Sequence, residues 1–97
     1  MSFPLNEYDG TLADARAIIV DRCNKGRNEI VPWEQKFIHG SKDVVYECHE
    51  RMCRIRGAEA ISDLATMRAD AIDLVNEAAF LVMLLDREMK GNGLQPL

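Results

Sequence analysis

The sequence predicts an all-α fold: three main helices forming a helical bundle completed by dimerisation. Three observations carry that expectation. Apolar residues recur at three- and four-residue spacing along most of the chain, and no run alternates as a half-buried strand would. Residues that start and stop helices bound each periodic segment. Finally, Ala78–Leu85 is a run of eight consecutive apolar residues inside the third helical segment. A helix apolar on every side must be covered on every side, and three helices from 97 residues cannot easily cover it alone.

Residues 1–10 read as an extended N-terminal arm, because Pro4 and Gly10 interrupt any periodic pattern. A single domain is expected over 11–90. Thr11 with Asp14 resembles a capping box, and Leu12, Ala15, Ile18 and Ile19 follow at helical spacing, so the first helix is placed at 11–24. Residues 25–40 lack periodicity and carry Gly26, Pro32 and Gly40, which predicts a long loop with at most one short helical turn. Ser41 followed by Asp43 gives a start for the second helix, and Gly57 an end. The third helix begins near Ser62 or a turn earlier, and runs to Lys90 before Gly91-Asn92-Gly93 stops it. Residues 91–97 read as a loose tail.

Bulk composition narrows the function. A net charge of −4 and a pI near 5.1 argue against general binding to nucleic acid or anionic membranes, which requires a basic surface. No stretch reaches the roughly 18 apolar residues of a membrane span. The start of the chain lacks the basic-then-apolar order of a secretory signal. Cys23, Cys48 and Cys53 are odd in number and show no C-x-x-C spacing, which fits a reduced, cytoplasmic setting.

The carboxylates carry the chemistry. Glu47-x-x-Glu50 lies on the second helix and Asp70-x-x-Asp73 on the third, with nineteen residues (51–69) between them. Brought face to face by a hairpin, the two pairs would make an oxygen-rich cage suited to Mg²⁺. On a wheel of roughly 100° per residue, Asp63, Asp70, Asp73 and Glu77 share one stripe of the third helix. Solvated faces usually mix signs, because like charges one turn apart repel. A stripe of one sign therefore needs a counter-cation, either a metal or a basic side chain from a neighbouring element. On the second helix, Glu47 and Glu50 lie between an apolar stripe (Val44, Cys48, Met52, Ile55) and a second ridge of Tyr46 and Cys53.

Arg51 and Arg54 directly follow this first acidic pair. One can hold phosphate oxygens bidentately, or Arg54 can simply pair with Glu50 one turn away. In the 25–40 segment, Lys25, Arg27 and Lys36 could cap a polyphosphate, while Trp33 and Phe37 could stack on a nucleobase or anchor the loop to the core. His49 and Cys53 stand one helical turn apart, with His39 and Cys23 as further donors, but without recognised zinc spacing.

The two acidic pairs and their spacing resemble the Glu-x-x-Glu … Glu-x-x-Asp signature of the all-α NTP pyrophosphohydrolases, the MazG-like and dimeric dUTPase-like enzymes. Glu50-Arg-Met-Cys-Arg-Ile55 is similar to the acid–Lys–x–x–Arg–Leu run of short, phage-type MazG-like proteins. Asp73-Leu-Val-Asn-Glu-Ala78 resembles their Asp-Leu-Ala-Asn-Tyr-Ala segment, and Val31-Pro-Trp-Glu-Gln-Lys-Phe37 their Pro-Trp-bearing loop. Together these pieces span about 18–90. The chain differs in carrying Tyr46 before Glu47, Asp70 in place of a Glu and Glu77 in place of an aromatic. The pattern predicts no counterpart of the fourth helix of the longer members.

The resemblance implies Mg²⁺ held by Glu47, Glu50, Asp70 and Asp73. A metal-activated water would then split a (d)NTP between its α- and β-phosphates. It implies that Asn76 helps to hold metal or nucleotide, while the side-chain chemistry described above adds Arg51, Arg54, Lys36 and Trp33 as substrate contacts. It also implies a homodimer or higher homo-oligomer. The alternative is a non-enzymatic helical interaction protein, of phage or plasmid type, engaging a basic partner through its acidic helix face.

Overall fold

The computed structural model describes residues 2–24 and 40–93, apart from the Cys23 side chain. The expected 25–40 loop, with Lys25, Arg27, Trp33, Lys36, Phe37 and His39, falls outside the described residues except for Gly40, as does the tail from Leu94. Among the described residues every regular element is helical: α1 Leu5–Asn24, α2 Ser41–Ala60 and α3 Leu64–Gly91. None of these helices is long and apolar enough to cross a membrane.

α1 begins six residues before the position expected from the sequence, so most of the predicted arm is helix. Pro4 sits at the entrance, where its missing N–H costs nothing. Its carbonyl accepts from the Tyr8 N–H at 3.1 Å. The rings of Phe3 and Tyr8 meet edge to face with centroids 5.7 Å apart. They flank the entrance as a hydrophobic staple, and Glu7 lies in the first turn where the helix dipole favours an anion. Gly10 lies inside the helix. One glycine costs a helix only about 1 kcal/mol and does not break it.

α2 starts where expected, but its cap comes from another helix. Gly40 at the N-cap has no side chain to offer. Glu88 of α3 reaches across instead: Oε1 accepts from the Ser41 N–H and Oε2 from the Ser41 hydroxyl, both at 3.1 Å. α2 then passes through Gly57, expected as its end, and stops three residues later. The stop has the Schellman pattern of bonds. Asp63 N–H bonds Ala58 C=O and Ser62 N–H bonds Glu59 C=O, both at 3.0 Å. Ser62 takes a left-handed conformation, with φ 57°. A glycine usually supplies that conformation. Asp63 closes this turn and also opens α3, its carboxylate accepting from the Thr66 N–H at 3.0 Å and the Thr66 hydroxyl at 2.7 Å. That is the bonding of a helix N-cap. One residue thus serves both helices, which makes the hairpin tight.

α3 packs most extensively on α2 and less so on α1. Among the described residues the buried apolar side chains are few: Ala15 from α1, Val44 and Ala58 from α2, Ile72 and Leu84 from α3. Of the apolar stripe expected on α2, Val44 is buried, Cys48 and Ile55 are half-buried, and Met52 is exposed. The radius of gyration is 15.2 Å. A compact chain of this length would have roughly 12.5 Å. Among the described residues the core between the helices is thin.

Candidate functional site

The hairpin brings an arginine of α2 against the acidic pair of α3. Arg51 of α2 extends to α3, where its Nη1 stands 3.7 Å from Asp70 Oδ1 and 3.4 Å from Asp73 Oδ2. The other oxygen of Asp73 faces α1, with Arg22 Nη2 at 3.4 Å from Oδ1. The aspartate side chains keep only 15% and 19% of their accessible surface. The counter-cation that the one-sign stripe demanded is thus supplied by neighbouring helices, one guanidinium from each. An exposed pair, Arg68 with Asp14, closes at 2.8 Å elsewhere on the surface. Asp70 and Asp73 are largely withdrawn from water, unlike that solvated pair.

The remaining expected site residues sort by helix face. Glu47 precedes Arg51 by one turn and is half-buried on the side of α2 that turns toward α3. Glu50 and Arg54 are exposed on its flank. Asn76, expected near metal or nucleotide, donates its Nδ2–H to the Ala15 carbonyl at 3.0 Å and so pins α3 to α1. Asp63, the first acid of the stripe, is the N-cap described above. Two hydrogen bonds from Thr66, the hydroxyl first and the backbone N–H second, hold its carboxyl below the ordinary aspartate range. Trp33 and Lys36 lie outside the described residues.

Arg22 is the functional neighbour that sequence reasoning missed. Its signal was positional: the base in the last turn of α1, where a cation suits the helix dipole. His49 and Cys53 do meet, Nε2 to Sγ at 3.6 Å, on the exposed side of α2.

The donor set suits a hard divalent cation in kind, being carboxylates on two facing helices. Their arrangement is another matter. Among the described residues no group of three or more His, Cys, Asp or Glu side chains stands ready to hold a metal ion, and Arg51 occupies the place between Asp70 and Asp73. No family model, no curated protein and no solved structure matches the chain.

Proposed function

We propose that this chain is a Mg²⁺-dependent nucleotide pyrophosphohydrolase of the MazG-like type, working as a homodimer on a (d)NTP or a related nucleotide. One observation carries the reading: Arg51, next to Glu50, touches both Asp70 and Asp73. Asp70 and Asp73 thereby stand beside the helix that carries Glu47 and Glu50. Glu47, Glu50, Asp70 and Asp73 would hold the ion, which when bound supplies charge neutralisation on the phosphates and a polarised water. Arg51 has two roles in this reading. It neutralises the aspartates, and it would offer its fork of N–H donors to phosphate oxygens of a bound nucleotide. Asn76 and Arg22 act as positioning residues that hold α3 against α1.

The rival reading, a non-enzymatic binder using its acidic face, finds the central acids of that face already engaged. Asp70 and Asp73 lie under arginines from the same chain. What favours a binder instead is the exposure of Val45, Tyr46 and Met52 on α2.

The deciding experiment is pyrophosphate release from a panel of NTPs and dNTPs, with and without Mg²⁺. The expected result is Mg²⁺-dependent release from at least one nucleotide, abolished in Glu47→Gln. No release from any substrate, or activity unchanged in Glu47→Gln, overturns the enzyme reading and leaves the binder.

A further inference from the structure

α3 has three sides, and the described residues pack helices against only two. α1 lies along the side bearing Arg68, Asp73 and Asn76, which bond to Asp14, Arg22 and Ala15. α2 lies along the side bearing Asp70, Asp73 and Glu88. At roughly 100° per residue, the third side carries Leu64, Ala71, Val75, Ala78, Val82 and Leu85. All but the half-buried Val75 are exposed, Leu64 at 75%, Val82 at 56% and Leu85 at 40%. With Met89 included, no charge interrupts the stripe. Its length is about 38 Å, at a rise of about 1.5 Å per residue.

We infer that this third side of α3 is the surface on which a second copy of the chain docks, the two α3 helices running antiparallel about a two-fold axis near residue 77. The inference rests on the homodimer proposed above and specifies its interface. Two complementarities carry it. Arg68 and Asp86 are the charges nearest the stripe along one edge, and they sit eighteen residues apart (86 − 68). That is about five helical turns, so both project at the same angle. A two-fold axis perpendicular to two helices sets each edge against the same edge of the partner with its direction reversed. Arg68 of each copy then lies beside Asp86 of the other, twice over. A parallel pair would set opposite edges together and lose both pairs.

The second complementarity is of size. With residue numbers in facing layers adding to about 153, Ala71 meets Val82, Val75 meets Ala78, and Leu64 meets Met89, mostly small against large. The small residues near the axis let the helices approach closely. Arg68 can keep its bond to Asp14 while serving Asp86 of the second copy, since a guanidinium has five N–H donors.

The test is sedimentation equilibrium on the intact chain and four variants, with helicity checked by circular dichroism. The wild type is expected to be a dimer at micromolar concentration, and Ala78→Glu a helical monomer. Arg68→Glu should weaken the dimer about tenfold, and the double variant Arg68→Glu/Asp86→Arg should bring it back to within about threefold of wild type. Val45→Glu on α2 should leave the dimer intact. A wild-type monomer overturns the homodimer itself. A dimer that survives Ala78→Glu, or that dissociates in Val45→Glu, overturns this interface while leaving the homodimer standing. Failure of the charge reversal to restore affinity overturns the antiparallel register.

Discussion

At the scale of single residues, the sharpest positions are those where two structural demands fall on one side chain. Asp63 ends one helix turn and begins the next helix. Its carboxyl titrates below the ordinary aspartate range because Thr66 bonds the charged form. A depressed folded-state pKa contributes stability that is present above the unfolded value of about 4, and is lost as pH falls through the folded value. Thermal melts of wild type and Asp63→Ala should therefore differ clearly at pH 7 and converge toward about pH 2. Asp63→Asn should retain much of the cap at pH 7 while losing the acid dependence. Ser62 is strained by its left-handed backbone. Ser62→Gly should stabilise the hairpin by about 0.5–1 kcal/mol, read as a raised denaturation midpoint with an unchanged slope.

At the scale of elements, the ends of the helices departed most from the sequence reading. Pro4 and Gly10 suggested an arm, yet proline suits a helix entrance. Gly10 meets nothing within 4 Å of where a Cβ would stand. Gly10→Ala should therefore stabilise α1 by about 0.5–1 kcal/mol, with a matching gain in helical ellipticity. The Phe3–Tyr8 pair was the available sign that the helix starts early. The cap of α2 had no local sign, because it comes from Glu88, forty-seven positions away. Glu88→Ala should cost about 1 kcal/mol and speed amide exchange in the first turn of α2, whereas Glu88→Gln should lose less. Gly40 cannot be replaced cheaply: its φ is 87°, and an added Cβ would stand 3.3 Å from Glu88 Oε1. A side chain in that backbone region is strained whatever its neighbours.

At the scale of the whole molecule, the small core sets the tolerance for change. Only five apolar residues are buried among the described residues, so each carries a large share of the packing. Leu84→Ala should cost about 2–4 kcal/mol, enough to unfold much of a marginal domain of this size, as a urea titration would show. The eight-residue apolar run that predicted burial on all sides is buried at Leu84 and exposed at Val82, Met83 and Leu85. Among the described residues, one side of that run is thus covered and another is exposed.

The sequence by itself determined that the chain is helical, roughly where α2 and α3 begin, and that the aspartate stripe of α3 required a cation. Those properties follow from spacing, from local hydrogen-bonding side chains and from the repulsion of like charges, all of which act within a few residues. Only the tertiary structure decided that Arg51 and Arg22 answer the aspartates, that Asn76 ties α3 to α1, and that Glu88 caps α2. Each of these joins residues 19 or more positions apart (70 − 51 for the nearest). Such partners depend on which helix faces meet, which no local spacing fixes.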